Sequence, residues 1–397
     1  MDNQAPMSLA QAAEKTWDGI VIGAGPAGAM AAFELAQRSF HVLLVDKNTF
    51  PRAKVCGCCL NGQALGLLQR QGLGDTTCRV GAVPLRHLLL ASDGHRVALP
   101  LPTGVAISRE AFDMSLIGAA VESGVTFLSK TIAIPGNITS AARQVILRSN
   151  GYQMEAKARV VLAADGLAGT FSTHHLGSMR STNSMPIVAR KSRVGAAVIV
   201  EGGPAFYQPQ TIYMACGSGG YVGLVRLEDG RLNIAAAFDG PALRAAGNPG
   251  KLAAMILRHA GLPPVLDILS WKGTPRLTRR DRCLAAERLF VLGDAASFVE
   301  PFTGEGIAWA LRSAIAVAPL AAQAIEAWKP GLEKRWTDDF HREVERCQLM
   351  CQLAAAVLRH PRLTTWVIQS LGFLPSLSSP ILRHLNGKQV LNTGTSS

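Results

Sequence analysis

The sequence predicts an α/β fold in which a Rossmann-like domain is interrupted by an antiparallel sheet and followed by a helical C-terminal region. Three observations predict it. Residues 20–46 read as strand, glycine turn, helix, strand and acid: an apolar run to Ile22, then Gly23-Ala24-Gly25-Pro26-Ala27-Gly28, a helical pattern over 27–39, and a second apolar run ending at Asp46. A buried strand returns late in the chain at 288–292 and ends in Gly293-Asp294. Between them, residues 185–271 change texture to strand-length apolar runs separated by glycine turns.

Each glycine of the first unit has its own task. Gly23 permits the tight turn, Gly25 lets the backbone approach a pyrophosphate, and Gly28 lets the helix pack close to its strand. Free N–H groups at the helix start, with Pro26 and Ala27 in its first turn, favour phosphate. Asp46, 18 residues past Gly28, is placed to accept from a ribose hydroxyl. A glycine-rich turn without a ligand is the competing interpretation, but the complete strand–helix–strand–acid order favours a dinucleotide.

The 397 residues are too many for one small core and predict two or three domains. The net charge is +12 and the pI about 9.6, a balance suited to an anionic cofactor, an anionic membrane surface or an acidic partner. No dense Lys/Arg block with interleaved aromatics occurs, which argues against nucleic acid. The eight cysteines do not form a secreted disulfide pattern. Cys58 and Cys59 lack a matching pair at zinc spacing, so no metal site is expected. Residues 1–16 have no apolar core and read as a disordered lead-in rather than a signal peptide, which points to the cytoplasm.

After Asp46 the loop Lys47–Gly57 carries Pro51 and offers Arg52 and Lys54 to phosphate and the backbone N–H groups of Cys56 and Gly57 to the cofactor. Residues 60–73 read as helix and 80–103 as a hairpin about Ser92-Asp93-Gly94. Ser108 caps a helix running to Ser123, with Arg109 at its start. Strands follow at 125–128, 144–149, 152–159 and 160–164, the last ending in Asp165-Gly166. In the insert, strands are expected at 196–200, 211–215, 221–227 and 232–238, and a helix at 251–259. Pro301-Phe302-Thr303-Gly304-Glu305-Gly306 opens a long helix, and the chain is helical from Trp336 onward. Residues 363–382 carry no charge and no acid occurs after Glu345. That pattern suits either a packed helical cap or a segment lying on an anionic membrane.

These motifs, in this order, resemble the FAD-dependent oxidoreductases of the p-hydroxybenzoate hydroxylase superfamily, and within it the geranylgeranyl reductase branch. The resemblance spans roughly residues 18–312. It implies non-covalent FAD, with Gly23, Gly25, Pro26, Ala27 and Gly28 at the pyrophosphate and Asp46 at the adenosine ribose. Lys47, Arg52, Cys56, Gly57, Arg109, Asp165, Gly166, Gly293 and Asp294 would line the cofactor channel. Pro301, Gly304, Gly306 and Ile307 would lie beside the flavin. It also implies an FAD-binding domain built from 17–79, 104–178 and 276–330, a substrate domain from 80–103 and 179–275, and a C-terminal region from 331–397. The expected activity is reduction of a C=C bond in a hydrophobic isoprenoid-, lipid- or polyketide-like substrate, with NAD(P)H as donor. Oxygen-dependent hydroxylation, halogenation and a non-enzymatic FAD scaffold are the alternatives. Ser297 stands where the aromatic hydroxylases often have His, and the Trp-x-Trp-x-Ile-Pro signature of the halogenases is absent.

Cys56 is a candidate relay thiol and Glu305 a candidate acid or base, each weighed against plain packing or capping. His174 and His175 are weaker candidates for a base. Tyr207, Tyr213 and Tyr221 are candidates for the wall of the substrate cavity.

Overall fold

The computed structural model describes residues 9–167, 169, 171, 186–265, 270–302 and 304–373. The expected α/β architecture is present. The first apolar run forms the strand Thr16–Ile22, which pairs in parallel with Val42–Val45 on one side and with Tyr152–Ala163 on the other. Thr126–Leu128 extends the sheet beyond Val42–Val45, and Leu289–Val291 extends it beyond Tyr152–Ala163, both in parallel.

The register positions the site. Ile22 lies opposite Val45 and Ala163, and Ala163 lies opposite Val291. Four strands therefore end at one level. Their next residues emerge along a single sheet edge, where open parallel sheets bind their ligands.

Helix Pro26–Ala36 follows the glycine turn at once, with Pro26 at its first position, where a missing N–H costs nothing. Almost all of it is buried, because it packs against the long helix Gly306–Glu326 as well as the sheet. Gly28 is obligatory for that packing: a Cβ there would stand 1.7 Å from the Gly23 carbonyl oxygen. Helix Gly306–Glu326 is long and apolar enough to cross a membrane, but 67% of its most apolar stretch is buried inside the protein. It is a core helix.

Three expectations need correction. Part of the expected disordered lead-in is helix Leu9–Glu14, held by Trp17, whose indole N–H donates to the Ala12 carbonyl at 2.9 Å. The runs 152–159 and 160–164 form one strand, Tyr152–Ala163. Its whole length serves two neighbours, antiparallel to Arg143–Ser149 at its start and parallel to Thr16–Ile22. The helix expected from residue 60 starts at Gly62, because Cys59–Asn61 pairs with Gly104–Ala106 and the Asn61 side chain caps Ala64 N–H at 3.0 Å.

The insert is a seven-stranded sheet in the order Lys272–Arg276, Val194–Val200, Leu232–Phe238, Gly220–Arg226, Thr211–Gly217, His87–Ser92, His95–Pro100. The early hairpin His87–Pro100 thus joins strands that follow more than a hundred residues later. It does so through the sheet's one parallel pairing, His87–Ser92 with Thr211–Gly217. One face of this sheet packs under helix Pro249–His259. The other faces the edge where the glycine turn lies. Helices Leu332–Phe340, Arg346–Val357 and Pro361–Phe373 close the described chain, as expected.

Candidate functional site

Between the sheet edge and the insert lies a cavity of about 880 Å³. Its first half is polar. Gly23, Gly25 and Pro26 line it, together with Asp46, Lys47, Arg52, Lys54, Cys56 and Gly57 of the following segment. Arg109, Asp165, Gly166 and Asp294 complete the wall. Residues as distant in sequence as 23 and 294 meet here because their strands end in register.

The glycine turn is rigid. Gly23 has φ +98°, its N–H donates to the Val45 carbonyl at 2.7 Å, and a Cβ on it would approach the Ala164 carbonyl oxygen to 2.3 Å. Gly25 differs: its backbone is ordinary, and a Cβ would meet only the guanidinium groups of Arg52 and Arg109, at 3.6 and 3.7 Å. Its missing side chain leaves open space between a helix N-terminus and two cations. Ala27, Gly28 and Gly293 lie beneath the wall rather than in it. A Cβ on Gly293 (φ +62°) would come within 2.7 Å of the Ala27 Cβ, so that glycine serves the seating of helix Pro26–Ala36.

Asp46 is buried. Its Oδ2 accepts from Ala24 N–H at 2.8 Å, and its Oδ1 from the backbone and side-chain N–H groups of Asn48 at 2.8 and 2.7 Å. The acid read as a ribose ligand therefore also fastens the glycine turn to the loop after the second strand. Arg109 is locked by a bidentate pair to Asp113, at 2.8 Å for both bonds, one helical turn on. Arg52 reaches the same carboxylate at 3.5 Å. Lys54 reaches Asp294 at 3.6 Å, and burial lowers its pKa against the raising effect of that carboxylate.

Two orphaned atoms stand in this wall. Arg52 Nε and Asp165 Oδ1 are buried without a hydrogen-bond partner. Burial raises the Asp165 pKa even though Phe171 N–H donates to its Oδ2 at 2.8 Å. A helix N-terminus, the open space at Gly25, the unspent Arg52 N–H and clustered cations fit a diphosphate, and the unspent Asp165 oxygen can accept from a hydroxyl of the same dinucleotide.

Cys56 lies in the wall, and Cys58 N–H donates to its sulfur at 3.4 Å. A side-chain hydrogen bond from Cys58, aided by the charge of Arg109, brings the Cys56 thiol down to about 6 against the effect of burial. The same pairing and burial push the Cys58 thiol up. Cys56 is thus the acidic thiol of the pair. Among the described residues no neighbouring sequence feature announces this, since Arg109 is brought to it only by the fold.

The second half of the cavity is apolar. Pro301, Gly304, Gly306 and Ile307 lie on one side. Leu88, Ile212, Met214, Tyr221, Phe298 and Phe302 surround the remainder. Strand alternation puts Tyr213 and Tyr221 on opposite faces of the insert sheet. Tyr221 faces the cavity, its ring edge-on to Phe302 with centroids 5.2 Å apart. Tyr207 and Tyr213 do not line it: they pack with Phe206 on the opposite face of the insert sheet. There the Tyr207 hydroxyl donates to the Pro263 carbonyl at 2.5 Å and the Tyr213 hydroxyl to that of Phe206 at 3.0 Å. Glu305 is also turned away. It is 2% exposed, its carboxylate accepts from the Cys351 thiol, and only its neighbours Gly304 and Gly306 reach the cavity. His174 and His175 lie outside the described residues.

Sequence reasoning missed the anchors behind this wall. Arg193, 1% exposed, pairs with Glu300 at 3.0 Å and Asp239 at 3.1 Å, donates to the Leu358 carbonyl at 3.2 Å, and sits 5.5 Å from the Tyr221 ring centre. Glu228, in a turn of the insert, accepts from the Ser108 N–H and hydroxyl. Neither carries a motif. Only the strand-like runs at 211–215 and 221–227 hinted at a wall here.

Residues 16–216 match the family described as FAD binding domain. The chain is 25% identical over 321 residues to the digeranylgeranylglycerophospholipid reductase of Methanospirillum hungatei, covering 79% of this chain and 77% of that protein. Among solved structures, a geranylgeranyl bacteriochlorophyll reductase-like protein from Thermoplasma acidophilum superposes with a TM-score of 0.74 at 20% identity, over 89% of this chain and 91% of that one. A flavin-dependent brominase superposes with a TM-score of 0.78 at 16% identity, over 94% of each chain. Those two likenesses concern the fold. The chain belongs to the FAD binding domain family and is an FAD-dependent oxidoreductase with a p-hydroxybenzoate hydroxylase-like fold, similar in sequence to the digeranylgeranylglycerophospholipid reductases.

Proposed function

We propose that the protein reduces a C=C bond in a hydrophobic, isoprenoid- or lipid-like substrate, with NAD(P)H as electron donor, in the cytoplasm and in peripheral contact with an anionic membrane. The observation that carries this reading is the apolar half-cavity that continues directly from the dinucleotide cleft, bounded by Met214, Tyr221, Phe298 and Phe302. The name of the curated relative, a reductase of a digeranylgeranyl lipid, supports the same substrate class.

Bound FAD supplies the hydride, and the chain does the rest. Gly23, Gly25 and the start of helix Pro26–Ala36 would hold the diphosphate, with Arg52, Lys54 and Arg109 offsetting its charge. The N–H groups at the start of helix Gly306–Glu326, beside the cavity-lining Gly304 and Gly306, would favour negative charge on a bound flavin. The apolar wall excludes water and aligns the substrate chain. Among the wall groups able to carry a proton, Tyr221 keeps its own because burial raises its pKa, whereas Cys56, acidic near neutral pH, would act as a relay that takes up a proton and passes it on.

The test is anaerobic. Protein reduced with NADPH should be reoxidised by an isoprenoid alkene in the absence of oxygen. Turnover that requires oxygen, or that requires halide, would replace this reading with hydroxylation or halogenation.

A further inference from the structure

The last two described helices carry more exposed apolar surface than a packed cap needs. On Arg346–Val357, Leu349 and Leu353 are 55% and 62% exposed. On Pro361–Phe373, Trp366 and Phe373 are 63% and 86% exposed. Leu349 and Leu353 are one turn apart and share the outer face of their helix with Arg346. Trp366 and Phe373 are two turns apart and share theirs with Arg362. Both helices bury their opposite faces, through Cys351 and Ala355 in one and Thr364, Ile368 and Leu371 in the other. Apolar and aromatic outer residues interleaved with arginine are the composition of a helix that lies in a bilayer interface.

The charge says which bilayer. From Arg346 to the end of the sequence every charged side chain is basic. A partner protein chosen by charge would need an acidic face, but the unshielded Trp366 and Phe373 suit acyl chains beneath anionic headgroups.

The patch is also continuous with the cavity mouth. Lys272 and Thr274 line the cavity from the edge strand Lys272–Arg276, most of which is exposed. Arg276 donates to the Arg190 carbonyl at 3.5 Å. Arg359, between the two helices, donates to the carbonyl of the next residue, Lys191. The exposed Arg276, Arg190 and Lys191 thus lead from the mouth towards the helix junction, where Arg359 is half-buried and paired with Glu300 at 3.6 Å and Asp239 at 3.8 Å. On the inner side, Ile368 and Leu371 pack into the same cluster as the cavity-lining Leu88, Met214 and Tyr221.

We infer that the outer faces of helices Arg346–Val357 and Pro361–Phe373 dock on an anionic lipid bilayer and hold the mouth at Lys272–Arg276 against it, so that substrate enters from the membrane. This deepens the peripheral-contact reading above and rests on the lipid-like substrate class.

The experiment uses the full chain loaded with FAD. Co-sedimentation is measured with phosphatidylcholine vesicles, with and without phosphatidylglycerol, at low and high salt. The protein should bind only the anionic vesicles and be partly released by salt. The double variants Leu349→Ser/Leu353→Ser and Trp366→Ser/Phe373→Ser should each retain flavin absorbance and melting temperature and lose about tenfold or more in partitioning. Parent protein left in the supernatant, or variants that bind as the parent does, would overturn the inference. So would a parent dimer that the variants convert to monomer, which would make the patch an interface between two copies. Anaerobic turnover of a short, water-soluble alkene analogue is measured beside it. Turnover without vesicle binding would sink the docking alone. Binding without turnover would leave the docking supported and sink the reductase reading.

Discussion

The Glu228 carboxylate accepts from both the Ser108 backbone N–H, at 2.9 Å, and the Ser108 hydroxyl, at 2.6 Å, so a turn of the insert clasps the N-terminus of the helix that carries Arg109. Ser108 Oγ in turn accepts from Ala111 N–H at 3.1 Å. The insert and the nucleotide half of the cavity therefore share a joint. Glu228→Ala should lower stability by about 1–3 kcal/mol, the scale of unsatisfied buried donors plus a weakened cap. Denaturant melts should show that loss, and flavin titration should show weaker FAD binding. An unchanged melt would mean that water replaces the carboxylate at no cost.

Two glycines of one motif should fail in different ways. Gly25→Val should fold, because its Cβ meets only two flexible guanidinium ends, yet it should lose FAD by about 100-fold or more, because the side chain occupies the diphosphate's place. Gly28→Ala should not fold as well as the parent, because its Cβ collides with the Gly23 carbonyl. Circular dichroism and flavin titration on the pair separate the two. A Gly25→Val protein that stays yellow after gel filtration would contradict the placement of the diphosphate.

The Cys56 thiol should titrate at about 6, so its thiolate fraction should rise at a pH below that of an ordinary thiol. Since the thiolate is the nucleophile, its alkylation rate should rise with pH and level off well below the range of an ordinary thiol. Mass spectrometry of iodoacetamide-treated protein across pH 4–9, with Cys56→Ser as the blank, measures this. Arg109→Gln should move the midpoint upward, because the assisting cation is gone. In turnover, a relay role predicts that Cys56→Ser keeps flavin reduction and loses about 10²-fold in transfer to substrate. A change of only a few-fold would leave Cys56 a packing residue.

Glu300→Ala should be the most damaging single change behind the cavity. It would leave Arg193 almost fully buried with Asp239 as its remaining carboxylate, and removing one partner of a buried pair costs about 3–5 kcal/mol. The loss should appear as a lower melting temperature together with exposure of the Leu358 junction to proteolysis, since Arg193 also holds that carbonyl. Glu300→Gln, which keeps an acceptor, should lie between. Equal stability of parent and Glu300→Ala would mean that Asp239 and solvent carry Arg193 unaided.

Local chemistry was legible in the sequence. The glycine spacing of 23–28, the acid at 46, the cap at Ser108 and the strand-length apolar runs of the insert each report a constraint satisfied within a few residues, and those features identified the α/β fold and the cofactor class. Side-chain direction at a single position was not legible. Tyr213 and Tyr221 look alike in sequence, but they sit on opposite faces of one sheet. Glu305 stands between two cavity-lining glycines and points to Cys351 instead. Long-range pairs were equally silent: 120 residues separate Ser108 from Glu228, and 107 separate Arg193 from Glu300.

By itself, then, the sequence determined a dinucleotide-binding α/β unit, its FAD-type motifs and the basic, acid-free C-terminus, because each is written in short-range spacing or composition. Tertiary structure decided that Ile22, Val45, Ala163 and Val291 end at one level, so that scattered motifs converge on one cavity. It also decided which tyrosine sees that cavity, which thiol is acidic and where the last helices turn their apolar faces. Those outcomes depend on strand register and on charges brought together across the fold, and neither is encoded at any one place in the chain.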